Sequence, residues 1–197
     1  MASVSLVDRS ILLLISDSGK QPDYALRYKM ARRPVIAIIG SGSDLEPAIS
    51  NAFALGRLIA ENGWILITGG RDAGVMKAAN QGAKEVGNSL TVGILPNSGA
   101  DVSPYVDVAI VTHTGQARNN IIVLSADVVV ACGVEGAGTA SEVALALKNG
   151  KSVILLGPTR IAEDFFRGIG GERIVSAPSP AEAIQLLTAL LNARPDI

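Results

Sequence analysis

Glycines and a few charged side chains come together where apolar runs of the chain end. The clearest case is Gly136-Ala-Gly138-Thr139, which follows the run Val128 to Cys132. Glycine lets backbone N–H groups approach an anion, and the start of a helix adds partial positive charge. Thr139 can add a hydroxyl there, and Arg71 and Arg118 can supply opposite charge. These residue types favour the binding of a phosphate group.

Three further loops also contain glycine and also lie at the end of an apolar run. They are Gly40-Ser-Gly-Ser43, Thr68-Gly-Gly-Arg71 and Thr112-His-Thr-Gly115. A single glycine turn is an ordinary way to leave a strand, whereas several at one sheet edge favour a ligand site. Glu142, one turn past Thr139, is a general acid or base, a ligand contact, or a carboxylate favoured by the helix dipole.

The hydrophobic pattern predicts how these loops are positioned. Short apolar runs alternate with helical stretches, which is typical of a parallel sheet with right-handed crossovers. We therefore predict an α/β fold, a Rossmann-like doubly wound parallel sheet in a three-layer α/β/α arrangement. The predicted strands are 35–39, 64–67, 90–95, 106–111, 128–132, 152–156 and 173–176. The predicted helices are one begun by Asp44 and ended at Asn62-Gly63, then 73–86, 116–125, 139–148, about 161–167, and one from 181.

The chain of 197 residues is 48% hydrophobic, with a mean hydropathy of +0.37, which is enough for one buried core. We predict a single Rossmann-like ligand-binding domain over residues 34–197. Residues 1–33 show no sustained hydrophobic period, so we expect them to form an N-terminal extension. This extension is either disordered or translated from a mis-assigned start codon, in which case Met30 is the natural first residue.

Charge and composition exclude several classes of function. The net charge is −1 and no basic stretch occurs, so we expect neither nucleic acid nor a membrane surface as partner. The run Ile11 to Ile15 is too short to span a bilayer. A single cysteine, Cys132, is compatible with a cytoplasmic location, and a single histidine, His113, argues against a histidine-based metal site. The dinucleotide fingerprint is incomplete, so NAD is not expected.

Three motifs resemble those of the LOG-like superfamily, whose members are often described as lysine decarboxylase-like. They are Thr68-Gly-Gly-Arg-Asp-Ala-Gly-Val-Met76, Gln116-Ala-Arg-Asn119 and Gly136-Ala-Gly-Thr-Ala-Ser-Glu142. Within that superfamily the chain is most similar to the molybdenum cofactor carrier proteins, from about Pro34 to the last helix. The resemblance implies a Rossmann-like fold, a homodimer or homotetramer, and a pocket for a phosphorylated ligand.

The resemblance also implies which residues bind the ligand. Gly136, Gly138 and Thr139 match the phosphate loop, and Arg118 and Glu142 match the pair with which the cytokinin-activating hydrolases cleave a nucleotide. The chain departs from those hydrolases at Val134-Glu135-Gly136, where they have Pro-Gly-Gly, and at Asn119, where they have lysine. The predicted cofactor-binding residues are Gly40, Ser41, Gly69, Gly70, Arg71, Gly74, Met76, Thr114, Arg118, Asn119, Gly136, Gly138, Thr139 and Glu142.

Three functions are compatible with this pattern. The first is a carrier that binds and protects molybdenum cofactor, the molybdopterin cargo, through its phosphate and transfers it to molybdoenzyme acceptors, with no bond made or broken. The second is a nucleoside 5′-monophosphate phosphoribohydrolase in which Arg118 and Glu142 act on the substrate. The third is a non-catalytic nucleotide-binding module. The sequence favours the carrier and predicts no protein-ligated metal.

Overall fold

A computed structural model describes residues 32–193 of the chain. Its seven strands form one parallel sheet in the order β4-β3-β2-β1-β5-β6-β7. Strand order reverses beside β1, which pairs with β2 on one side and with β5 on the other. The strands are β1 Val35–Gly40, β2 Ile65–Thr68, β3 Leu90–Leu95, β4 Val108–Val111, β5 Val128–Cys132, β6 Val153–Leu156 and β7 Ile174–Ala177.

Helices cover both faces of the sheet. Alternate residues of the central strands belong to different core clusters: Ile36 and Ile38 of β1 face one layer, and Ala37 and Ile39 face the other. Helices α1, α2 and α6 pack in the first layer, and α3, α4 and α5 pack in the second. The helices are α1 Ala48–Glu61, α2 Gly74–Lys84, α3 Arg118–Ser125, α4 Ala137–Lys148, α5 Arg160–Gly170 and α6 Pro180–Asn192.

The predicted fold class is therefore confirmed. The bounds of β3 and β5 are as predicted, whereas Trp64 lies before β2 and residues 106–107 lie before β4. Asp44 does not begin α1, because the residue before that helix is Pro47 and no side chain caps it. The predicted extension over residues 1–33 lies almost wholly outside the described residues. No helix among residues 32–193 is both long and apolar enough to span a bilayer.

The contact between α1 and α2 depends on two glycines. A Cβ atom at Gly56 would collide with the backbone carbonyl of Ala79, and one at Gly82 would collide with that of Phe53. Each helix therefore places its backbone directly against the other. Backbone atoms cannot move aside as a flexible side chain can, so any larger residue must push the helices apart.

We predict that Gly82→Ala destabilises the protein by about 1–3 kcal/mol through overpacking, although alanine is the better helix former. The matched control is Gly87→Ala, because a Cβ atom at this exposed glycine would meet nothing within 4 Å. Denaturant unfolding of both variants measures the difference. Equal midpoints for Gly82→Ala and the natural protein would contradict the role assigned to this glycine.

Candidate functional site

A pocket of about 210 Å³ lies where strand order reverses, at the carboxyl ends of β1 and β2 and at the start of α4. The loop after β1 leads to α1 in one helical layer, and the loop after β5 leads to α4 in the other. The two loops diverge and leave a crevice, the usual ligand position in an open α/β sheet. The pocket is lined by Ile38, Ile39, Gly40, Ser41, Gly42, Gly69, Arg71, Met76, Gln116, Arg118, Asn119, Gly136, Gly138, Thr139 and Glu142.

The side chain of Arg118, the first residue of α3, is buried in this pocket, with 7% of the residue exposed. Its Nε atom has no hydrogen-bond partner. Space for the guanidinium depends on Gly69, because a Cβ atom there would collide with Nη1 of Arg118 and approach Sδ of Met76 to 2.6 Å. Burial lowers the pKa of Arg118, Glu142 opposes that shift, and Arg71 adds to it. Arg118 is thus a buried cation with an unused donor.

Glu142 lies in the second turn of α4 and is also 7% exposed. Burial raises the pKa of its carboxyl to about 7, and the charge of Arg118 only partly opposes this shift. Among the ion pairs of residues 32–193, none joins Glu142 to Arg118. The carboxyl is therefore partly protonated at neutral pH and can donate a hydrogen bond, accept one, or exchange a proton.

The start of α4 forms an open cradle on another side of the pocket. Gly136 precedes the helix in an extended conformation, and no side chain caps the first N–H groups. A Cβ atom at Gly136 or Gly138 would meet nothing within 4 Å, so both glycines border open space. Unpaired N–H groups at the start of a helix attract anions, and the neighbouring Arg118 adds a full positive charge. This part of the pocket can hold a phosphate group.

Asn119 adds a second unused polar atom. The residue is 6% exposed, and its Oδ1 atom has no hydrogen-bond partner. A buried acceptor left unpaired costs free energy that a ligand N–H or O–H group could recover. The pocket therefore offers a ligand both cationic donors for an anion and an acceptor for a polar hydrogen.

Most of the predicted cofactor-binding residues line this pocket, but Gly70, Gly74 and Thr114 do not. Gly70 has a φ of +71°, and a Cβ atom there would lie 2.8 Å from Cα of Gly93. Gly74 allows the start of α2 to approach the loop after β1, because a Cβ atom there would collide with the carbonyl oxygen of Ser41. These two glycines position the loops and do not border the pocket.

The hydroxyl of Thr114 pairs with that of Thr112, at an oxygen–oxygen distance of 2.9 Å, outside the pocket. His113 beside it is exposed and does not line the pocket either.

The sequence-based set lacked four lining residues. Gly42 lies in the loop Gly40-Ser-Gly-Ser43 and Gln116 begins the motif Gln116-Ala-Arg-Asn119, so their positions in these loops are a usable signal. Ile38 and Ile39 lie at the end of a buried strand, where an apolar sequence gives no sign of a ligand site.

Comparison with known proteins identifies the relatives of this chain. The molybdenum cofactor binding protein from Rippkaea orientalis is 48% identical, with 82% of this chain and 99% of that chain covered and a TM-score of 0.77. The molybdenum cofactor carrier protein from Chlamydomonas reinhardtii is 45% identical, with 82% and 99% covered and a TM-score of 0.78. An uncharacterised protein from Archaeoglobus fulgidus is 42% identical over 146 residues, which are 74% of this chain and 90% of that protein.

These matches confirm the resemblance to molybdenum cofactor carrier proteins that the three motifs predicted. The model of the SLOG cluster4 family matches residues 33–184, which include every residue that lines the pocket. The chain therefore belongs to the SLOG cluster4 family.

Proposed function

We propose that the protein binds molybdenum cofactor as cargo, protects it and releases it to molybdoenzyme acceptors. The observation that carries this proposal is that the glycine cradle of Gly136 and Gly138 at the start of α4 lines the same pocket as the buried guanidinium of Arg118. It is supported by relatives of this family at 45–48% identity that are molybdenum cofactor binding or carrier proteins.

In this proposal the phosphate of the cargo is the anchor. N–H groups at the start of α4 donate to its oxygens, and Arg118 adds a charge-assisted hydrogen bond. The organic ring system then lies toward Asn119, whose free Oδ1 atom can accept a ring N–H. No cluster of three or more histidine, cysteine, aspartate or glutamate side chains that could hold a metal occurs within residues 32–193. In this proposal the contacts with the cargo are those to its phosphate and its ring system.

The direct test is retention of isolated molybdenum cofactor after anaerobic ultrafiltration, with AMP as a competitor. We expect saturable retention, and displacement by AMP would place the cofactor in the phosphate pocket. Failure of the folded protein to retain the cofactor would refute the carrier proposal.

Arg118→Ala should weaken retention by about 1.5–3 kcal/mol, roughly 10- to 150-fold in Kd, because it removes a charge-assisted contact in a buried site. Arg57→Ala is the matched control, since that half-exposed arginine pairs with Glu61 on α1, away from the pocket. The same titration on both variants measures the effect. Unchanged affinity in Arg118→Ala would refute the role given to Arg118.

Retention should also depend on the protonation of Glu142. With a pKa of about 7, the carboxyl is mostly neutral at pH 6 and mostly charged at pH 8. A charged carboxylate repels a bound phosphate, so affinity should fall as pH rises through 7, by at most about tenfold.

Glu142→Gln, measured over the same pH series, serves as the control for this effect. Its side chain cannot ionise, so any pH dependence that remains comes from the ligand's own titration. Identical pH profiles for the two proteins would contradict the proposed coupling.

A second candidate function is favoured by the pKa of Glu142 and its position beside Arg118. A carboxyl with a pKa of about 7 suits general acid–base catalysis at neutral pH. In a phosphoribohydrolase, water would add to C1′ of a nucleoside 5′-monophosphate while the bond to the base breaks, and the base would leave with a proton. Release of free adenine from AMP, lost in Glu142→Gln, would support this activity. Tight AMP binding without cleavage or cofactor retention would favour a nucleotide-binding module.

We further infer that the protein is cytoplasmic and self-associates. The edge strand β4 exposes Val108, Ile110 and Val111, and the helix α3, which packs against the neighbouring strand β3, exposes Ile121 and Leu124. Exposed apolar side chains at a sheet edge are usually covered by another surface. A homodimer or homotetramer would bury them.

A further inference from the structure

The carboxyl end of β2 contains a buried polar pair that does not line the pocket. Thr68 is the last residue of β2 and Asn80 lies in the middle of α2, and both are 0% exposed. A buried polar side chain costs free energy unless it is hydrogen-bonded, and an apolar residue of similar size fills the same space without that cost. Packing alone therefore does not account for this pair.

The hydroxyl of Thr68 joins the loop after β2 to helix α2. Its Oγ1 atom accepts the backbone N–H of Gly70 at 3.0 Å. The same atom contacts both polar atoms of the Asn80 side chain, Nδ2 at 3.1 Å and Oδ1 at 3.4 Å. Within residues 32–193 the side chain of Asn80 makes no other hydrogen bond. The oxygen that receives the Gly70 N–H is therefore itself held in place by α2.

Gly70 is fixed on its other sides as well. Its carbonyl oxygen accepts the N–H of Ser103 at 2.9 Å. Its Cα packs so closely against β3 that a Cβ atom would lie 2.8 Å from Cα of Gly93. The bond from Gly70 to the Thr68 hydroxyl completes this arrangement, so the short loop after β2 has a fixed course.

Gly69, between these two residues, lies against the guanidinium of Arg118. A Cβ atom at Gly69 would collide with Nη1 of Arg118 and lie 2.6 Å from Sδ of Met76, so no side chain fits there. The Nε atom of Arg118 has no hydrogen-bond partner, and no ion pair of residues 32–193 includes this arginine. Packing, with Gly69 on one side, therefore determines where the guanidinium lies.

We propose that Thr68, supported by Asn80, is a positioning residue for Arg118. Its hydroxyl fixes the turn at Gly70, the turn fixes the backbone of Gly69, and that backbone sets the position of the guanidinium in the pocket. Thr68 does not line the pocket, so it acts only through Arg118. The role belongs to the ligand-free protein and does not depend on which cargo the pocket holds.

Thr68→Val removes the hydroxyl and keeps the branched shape of the side chain. The buried N–H of Gly70 and the Nδ2 group of Asn80 then lose their acceptor, and the turn must move to pair them with other groups or with water. Thr68→Ser keeps the hydroxyl and should restore the natural behaviour. Asn80→Ala leaves the bond from Gly70 to Thr68 in place and removes only its support, so its effect should be intermediate.

Thr91→Val is the matched control. Thr91 is also 0% exposed, and its Oγ1 atom also accepts a backbone N–H at 3.0 Å, that of Asp107. It lies in β3 and does not line the pocket. This variant therefore loses an equivalent buried hydrogen bond that does not involve the loop after β2.

Hydrogen exchange of the Arg118 Nε–H group in the ligand-free full chain measures the position of the guanidinium. Heteronuclear NMR detects this group, and Arg118→Lys assigns its signal. We expect exchange to be at least about tenfold faster in Thr68→Val, relative to the core amides of β5, because a displaced guanidinium is exposed to water. Thr68→Ser and Thr91→Val should keep the natural rate.

Two results would overturn the proposal. One is the natural exchange rate in Thr68→Val, or in Asn80→Ala should Thr68→Val not fold. The other is an equal increase in Thr91→Val, because the effect would then come from general destabilisation and not from the loop after β2.

A double-mutant cycle of cofactor retention tests the same role in ligand binding, and this part rests on the proposed function. Thr68→Val should raise the Kd for isolated molybdenum cofactor by about five- to tenfold, and by less than about twofold when Arg118→Ala is already present. Equal losses in both backgrounds would overturn the proposal. If the natural protein retains no cofactor, the carrier function fails, and the exchange rates alone decide the role of Thr68.

Discussion

The buried guanidinium of Arg118 is the constraint on which the rest of the site depends. Taking a cation out of water costs several kcal/mol unless it is paired and hydrogen-bonded. Here Nε has no partner, and Glu142, the acid that most influences Arg118, has a pKa of about 7 and is not an ion-pair partner. The ligand-free protein thus carries a charge that its own side chains compensate only in part. In the proposed function an anionic ligand would supply the missing partner, and its binding would then also stabilise the fold.

Space for that arginine comes from glycine, and the fold uses glycine in two different ways. At Gly69, Gly136 and Gly138 the missing side chain leaves room for the guanidinium or for a ligand. At Gly56 and Gly82 it lets two helix backbones meet, and that contact holds α1 and α2 together. The first group lines the pocket, and the second fixes the helical layer in which the loops after β1 and β2 are anchored.

Because glycine has these two roles, at the pocket and at backbone contacts, the sequence could predict some features of the site and not others. The apolar run of β5 predicted its bounds closely, because all five of its residues are buried and a strand covered on both faces has a continuous apolar sequence. The motifs located the loops of the site, but they could not separate Gly70 and Gly74, which border backbone, from Gly136, which borders the pocket. That distinction depends on neighbours distant in sequence, such as Gly93 beside Gly70.

Other differences between the prediction and the structure also arise from contacts between residues that are distant in sequence. Ile38 and Ile39 line the pocket through their place at the end of β1, and only the adjacency of β1 and β5 brings that strand end to the site. Asp44 has the residue type of a helix cap, yet α1 begins only at Ala48, after Pro47. Local sequence preference therefore predicted whether each element is a helix or a strand. Tertiary contacts determined the residues at which it begins and ends.

The size of the pocket bears on the choice between carrying and cleaving. At about 210 Å³ it is smaller than the roughly 300–1,000 Å³ of sites that enclose a whole drug-sized ligand. A hydrolase must surround the bond it breaks and control the water that attacks it. A carrier must hold one end of its cargo firmly and leave the other accessible to an acceptor. A small pocket with a glycine-bordered helix start and a buried arginine suits the second requirement, because the proposed anchoring encloses only the phosphate of the ligand.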